Sequence, residues 1–100
     1  MYVIEWDFLP AAGRETEFVA TYGPDGEWVE LFRRGRGYLG TELVRLPEKP
    51  GWFRTIDRWV SEEAYLSFRR AFAAEYAKID SASETLTAFE VQVVQSRHSN

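Results

Sequence analysis

The sequence of 100 residues contains no cysteine and a single histidine. The lack of cysteine excludes disulfide scaffolds, thiol nucleophiles and cysteine-ligated zinc. The one histidine, His98, stands third from the end, so a catalytic triad, a haem ligand or a histidine metal site would need its only imidazole from there. We therefore expect no metal and no cofactor. Any chemistry has to use carboxylates, phenols, indoles and the reactivity of the substrate itself.

Positive charge is also scarce, because 12 Lys and Arg residues face 16 Asp and Glu residues, a net charge of −4 at pH 7. A nucleic-acid partner is excluded on this ground, since such proteins gain affinity from a basic face that neutralises phosphates. The sequence has no apolar run near 18 residues and no basic targeting segment after Met1, so we expect a cytoplasmic protein that binds no membrane.

Aromatic residues are abundant, with 16 Phe, Trp and Tyr in a chain that is 45% hydrophobic. This composition is sufficient for the core of one small globular domain and too apolar for a disordered chain. We predict a single domain over residues 1–95 and a flexible C-terminal tail over 96–100.

Hydrophobic periodicity predicts strands separated by helices, in the order β-α-α-β-β-α-β. The strands are predicted over 2–9, 37–46, 52–60 and 86–94. The first helix falls within 11–22, and a short second helix is capped by Asp25 and carries Arg33 and Arg34 in its last turn. The third helix begins after Ser61 and extends for about five turns to Ile79, followed by a polar break over 80–84.

This order is the split βαβ, or ferredoxin-like, arrangement, βαββαβ, an α+β fold with helices on one face of a four-stranded antiparallel sheet. The predicted strands carry apolar residues on both faces. An uncovered second face would expose an apolar patch larger than a soluble monomer usually tolerates. We therefore predict a homodimer in which the sheet faces of two copies meet.

Two segments and one further residue resemble the antibiotic biosynthesis monooxygenase (ABM) family of dimeric α+β barrels. They are GYLGTEL at 37–43, TIDRWVSEEAY at 55–65, and Phe68. A strand that ends in Trp and is followed by Ser, acidic residues and an aromatic residue is a pattern that many barrels of this superfamily share. The resemblance covers residues 2 to 94.

The resemblance implies several activities, because the family includes cofactor-independent oxygenases of aromatic polyketides, small quinol oxygenases and haem-degrading enzymes. Haem degraders use an Asn on the first strand and a Trp and a His on the last helix. The matching positions here are Asp7, Phe68 and Lys78, so haem degradation is not expected. In the cofactor-independent enzymes a phenol or anthrone is deprotonated in a dry pocket, and its anion reduces dioxygen.

The implied function is a cofactor-independent monooxygenase that acts on an aromatic or quinol-like small molecule and dioxygen. Its pocket would lie between helices and sheet, with Asp57 and Tyr65 as catalytic candidates. An aromatic lining suits a flat ring, which it would bind by offset stacking. The lining residues expected are Trp6, Tyr22, Trp28, Phe32, Phe68, Phe72 and Tyr76.

The orientation of Asp57 depends on the register of the third strand. Either the odd-numbered residues 53–59 or the even-numbered residues 52–58 face the helices, and we prefer the odd row because it is less charged. Asp57 is a general base if it lies buried in the pocket. Otherwise it is a strand carboxylate paired with an arginine such as Arg54 or Arg58, of a neighbouring strand or of the partner chain.

Other features also have two interpretations. Glu5 and Asp7 could form a carboxylate pair or a weak metal site, although arginines across the dimer are the favoured partners. Arg33, Arg34 and Arg36 could bind an anionic group, or they could complement a helix C-terminus. The aromatic side chains could simply form a core, in which case the protein is a non-catalytic binding or structural homodimer.

Overall fold

The computed structural model describes residues 1–97 and shows a four-stranded antiparallel sheet with helices on one face, which confirms the predicted ferredoxin-like α+β fold. The strands are β1 Tyr2–Pro10, β2 Tyr38–Arg45, β3 Phe53–Trp59 and β4 Thr87–Arg97, in the spatial order β2-β3-β1-β4. The helices are α1 Glu15–Tyr22, α2 Glu27–Phe32, α3 Glu62–Ala71 and α4 Ala73–Ser83, with a 3₁₀ turn at Glu84–Leu86. None of these helices is long and apolar enough to span a membrane.

The C-terminal strand reaches further than the sequence predicted. Ser96 and Arg97 pair with Val3 and Tyr2, so the first two residues of the expected tail belong to β4. The remaining residues, 98–100, lie outside the described residues.

The register of β3 is the one preferred from sequence. Its odd-numbered residues are buried toward the helices, and its even-numbered residues lie on the outer face of the sheet. In the central strand β1, Ile4 lies opposite Asp57 and Trp6 opposite Thr55, so these four side chains share the helix-covered face. The antiparallel register places Asp57 beneath the helices.

The long helix predicted from Ser61 to Ile79 is interrupted. Phe72 leaves helical geometry, with φ −116° and ψ 29°, and separates α3 from α4. Helix α3 packs on β3, whereas α4 packs against α2. The predicted polar break over 80–84 is also wrong, because α4 continues to Ser83, whose hydroxyl donates to the carbonyl of Ile79.

Helix starts follow the prediction at Ser61 but not at Asp25. The Ser61 hydroxyl accepts a hydrogen bond of 3.0 Å from the backbone N–H of Ala64. Helix α2 instead begins after Gly26, without a side-chain cap, and ends at Phe32, before Arg33 and Arg34. Gly26 is required there, because a Cβ would lie 2.1 Å from the carbonyl oxygen of Thr21.

The core lies between the helices and the sheet and is mainly aromatic. Trp59 is fully buried, and its ring contacts those of Phe32, Tyr38 and Phe68 at centroid distances of 6.0, 5.2 and 5.0 Å. Aromatic pairs at such distances add stability beyond the area they bury. Several of the aromatic side chains therefore form the hydrophobic core, which is the second interpretation that the sequence allowed for them.

Candidate functional site

A pocket of about 320 Å³ lies between the sheet and helices α1 to α4. Apolar and aromatic side chains form most of its wall, with polar groups placed among them. The residues of the lining are Ile4, Trp6, Phe8, Tyr22, Trp28, Val29, Phe32, Thr41, Thr55, Asp57, Tyr65, Arg69, Tyr76, Asp80 and Glu90. Its size is that of a small-molecule site.

Most of the residues proposed from sequence meet in this pocket. Asp57 and Tyr65 line it, together with five expected wall residues: Trp6, Tyr22, Trp28, Phe32 and Tyr76. Phe68 and Phe72 do not. Phe68 is buried against Phe32 and Trp59. Phe72 packs on Phe68 and under the guanidinium of Arg34, because the helix is interrupted at Phe72.

Asp57 is held by a chain of hydrogen bonds from β2. The Thr41 hydroxyl donates to Asp57 Oδ1 at 2.6 Å, and the Tyr38 hydroxyl lies 2.5 Å from Thr41 Oγ1. Because Thr41 has one proton and gives it to Asp57, Tyr38 is the donor to Thr41. Asp57 Oδ2 makes no hydrogen bond to residues 1–93, the part of the chain whose side chains the structure describes. One carboxylate oxygen is thus positioned by the protein and the other is available to a ligand.

Burial raises the pKa of Asp57 to about 6, and the hydrogen bond from Thr41 opposes this rise. No arginine of residues 1–93 pairs with the carboxylate, and the two arginines of its own strand are engaged elsewhere, Arg54 with Asp7 and Arg58 with Glu42. Asp57 is therefore not paired with Arg54 or Arg58 of its own chain. A carboxyl group with this pKa is suited to take up a proton near neutral pH.

Thr41→Val is expected to raise the pKa of Asp57 further, because it removes the hydrogen bond that favours the charged form. The midpoint of Asp57 ionisation should move to higher pH, by up to about one unit if the bond is worth about 1.4 kcal/mol. NMR titration of the Asp57 side-chain carboxyl measures this. Thr55→Val, in the same pocket but without a hydrogen bond to Asp57, is the matched control. An unchanged midpoint in Thr41→Val would contradict the assignment.

The pocket phenols are donors rather than bases. Burial raises the pKa of Tyr22 to about 12 and raises that of Tyr76 also, so both remain protonated at neutral pH. The Tyr65 hydroxyl accepts a hydrogen bond of 2.9 Å from Arg69 Nη1, and a phenol O–H can also donate one. Of the groups proposed from sequence, Asp57 has the properties of a base and the tyrosines those of hydrogen-bond donors.

Glu5 and Asp7 lie on the opposite face of the sheet, and their arginine belongs to the same chain. Arg54 Nε and Nη2 donate to the two carboxylate oxygens of buried Asp7 at 2.7 and 3.1 Å, and Arg54 Nη1 lies 3.8 Å from Glu5. Lys49 Nζ is 3.7 Å from Asp7. The arginine that these carboxylates contact therefore belongs to the same chain, and contacts across a dimer stay a prediction. Nowhere in residues 1–97 do three metal-ligating side chains form a cluster.

Eight lining residues were not proposed from sequence, and for two of them, Thr41 and Arg69, the sequence contained a signal. Residues 46 and 52 flank the predicted turn, and counting outward from them places Thr41 opposite Asp57. Arg69 follows Tyr65 by four residues and precedes Tyr76 by seven, which is the spacing of one helix face. The arginines at 33, 34 and 36 are absent from the lining.

Solved structures share this architecture at low sequence identity. A Bordetella bronchiseptica protein provisionally named an antibiotic biosynthesis monooxygenase matches with a TM-score of 0.70 and 22% identity, covering 99% of this chain and 98% of that one. SnoaB, a cofactor-independent oxygenase from Streptomyces nogalater, matches with a TM-score of 0.62 and 20% identity over 98% and 94% of the two chains. The chain has the antibiotic biosynthesis monooxygenase fold. No family model matches the sequence, and no curated protein matches it significantly.

PA3566 from Pseudomonas aeruginosa has the same architecture, with a TM-score of 0.68 and 14% identity over 99% of this chain and 94% of that one. The ABM fold is thus retained at identities where most side chains differ. Fold alone does not transmit a reaction. The function must be argued from the pocket itself.

Proposed function

We propose that the protein is a cofactor-independent monooxygenase that acts on an aromatic, quinol-like small molecule. The observation that carries the proposal is the buried carboxyl group of Asp57 in an aromatic pocket, where residues 1–93 give it no ion pair and leave one of its oxygens without a hydrogen bond. The fold of SnoaB, which is itself a cofactor-independent oxygenase, supports the same assignment.

Asp57 would act as the general base. It accepts the hydroxyl proton of a phenol, or the equivalent proton of an anthrone, and leaves an electron-rich anion stacked among the aromatic walls. That anion supplies the electrons for dioxygen. In an anthrone the ring methylene becomes a carbonyl with one oxygen atom, and its two hydrogens leave with the other as water, so the reaction balances without an added reductant.

Oxygen uptake tests this proposal directly. The purified protein is incubated with a panel of anthrones and hydroquinones in the presence of a chelator and without flavin, in an oxygen-electrode cell. We expect uptake above the blank for at least one ring system, with the oxidised product formed in equal amount. If ligands raise the melting temperature and none is oxidised, the protein is a binding module and the proposal is wrong.

We also propose that a second copy covers the outer face of the sheet. That face carries exposed Phe89, Val91, Val93 and Val44, with exposed fractions of 63%, 52%, 42% and 36%. Light scattering at micromolar concentration should give twice the monomer mass of 11.6 kDa. Val91→Glu should shift the protein to monomer, whereas Val19→Glu, on the exposed surface of α1, should not. A wild-type monomer would contradict the proposal.

A further inference from the structure

Arg69 is the one cationic side chain among the described residues that line the pocket. Its guanidinium carbon lies 3.8 Å from the centre of the Tyr76 ring, and its Nη1 donates to the Tyr65 hydroxyl. It forms no ion pair with any carboxylate of residues 1–97, although three carboxylates share the lining. Of its five N–H donors, one is used.

The position of Arg69 in α3 does not account for this arrangement. Arg69 and Arg70 both lie in the last turn of the helix, where a cation complements the helix dipole. Arg70 meets that role at the surface, where it lies 3.4 Å from Glu63. Arg69 is also exposed, but it stacks on Tyr76 and lines the pocket, and stacking on its flat face leaves the N–H edges free.

Arg69 also does not neutralise the base. No ion pair joins it to Asp57, whose raised pKa is therefore preserved. Tyr76 is nonetheless close enough to both groups that each affects its ionisation. The pocket thus holds a proton acceptor on β3 and a cation on α3, and neither forms a salt bridge with a side chain of residues 1–93, although Asp80 acts on Arg69 at longer range.

We infer that Arg69, together with the Tyr65 hydroxyl, binds the oxyanion of the substrate. This inference rests on the proposed function and adds to it the two residues that recognise the ionised hydroxyl of the substrate. The hydroxyl proton passes to Asp57 Oδ2 and the electron pair of the broken O–H bond stays on the substrate. The guanidinium and the phenol then donate to the negative charge, which lowers the cost of forming it.

A phenolate probe tests the inference without oxygenase turnover. The probe is 4-nitrophenol, whose phenolate absorbs visible light. It is titrated into the Asp57→Asn variant, which lacks the competing carboxylate charge, at a pH where the probe is ionised. Its affinity for Asp57→Asn/Arg69→Gln should be lower by about tenfold or more, because charge-assisted hydrogen bonds are lost. Asp57→Asn/Arg70→Gln is the matched control and should bind as the single variant does.

4-Nitroanisole, which cannot ionise, separates charge from shape. Arg69→Gln should change its affinity by less than about threefold, since only packing on Tyr76 is altered. Equal losses for the two ligands, an unchanged phenolate affinity, or no phenolate binding to Asp57→Asn would each overturn the inference. Selective phenolate binding in a protein that consumes no oxygen would uphold it and refute the oxygenase assignment alone.

Discussion

Asp57→Asn is expected to lower kcat for oxygen uptake by about 10²- to 10⁴-fold, the usual contribution of a general base. Asparagine matches aspartate in size and its amide oxygen can still accept from Thr41, so the pocket keeps its shape but cannot take up a proton. KM should change little. Initial rates of oxygen consumption measure the effect once a substrate is identified. The control is Asp80→Asn, which alters another carboxylate of the same pocket.

The pH dependence of the rate tests the role of Asp57 independently. The wild-type rate should increase with pH to a plateau, with a midpoint near the Asp57 pKa of about 6, because the charged form is the base. The midpoint should vanish in Asp57→Asn while that of Asp80→Asn is unchanged. A substitution at Asp57 that leaves the rate within about threefold of wild type would exclude its role as the base.

The free energy of unfolding should decrease as pH rises, whereas the rate of oxygen uptake should increase. The pKa of Asp57 is raised from 3.8 in the unfolded chain to about 6 in the folded protein, so the free energy of unfolding decreases as pH rises between those values. A shift of about two units corresponds to about 3 kcal/mol of destabilisation at neutral pH. Asp57→Asn should therefore be the more stable protein at pH 8, and this advantage should disappear below pH 4.

The orientation of Asp57 was predictable because the two rows of β3 differ so strongly in charge. Two of the even-numbered residues are arginines, and a row of this kind does not lie beneath an aromatic helix layer. The register of the hairpin was also predictable, because the turn between Leu46 and Trp52 determines each pair of opposite residues as far as Thr41 and Asp57. The hairpin between β2 and β3 is therefore sufficient to predict that Thr41 lies beside Asp57.

The remainder depended on contacts between distant parts of the chain. The spacing of Phe68, Phe72 and Tyr76 fits one continuous helix, whereas in the structure α3 packs on β3 before the break and α4 packs on α2 after it. The partner of Asp7 was missed for a similar reason. Strands β1 and β3 are not joined by a hairpin, so no turn specifies that Arg54 lies opposite Asp7 within the same chain.

The pair formed by Arg54 and Asp7 leads to a second large effect, on stability. Arg54→Met is expected to reduce the free energy of unfolding by about 3 kcal/mol, because it leaves a buried carboxylate without its bidentate partner. Lys49, 3.7 Å away, compensates in part. Urea denaturation at pH 7 and a fixed protein concentration measures the change. Arg45→Met, which removes an exposed ion pair with Glu15, should cost less than about 1 kcal/mol.

The pH dependence of this loss identifies its cause. Arg54 keeps the pKa of Asp7 below its ordinary value of 3.8, so the pair stabilises the fold above that pH and ceases to do so as pH falls through the lowered pKa. The difference between wild type and Arg54→Met should therefore shrink in acid. Asp7→Asn/Arg54→Met should recover much of the lost stability at pH 7, since no buried charge is left unpaired. A deficit that is equally large in the double variant and at all pH values would show that Arg54 acts through the packing of its aliphatic stem instead.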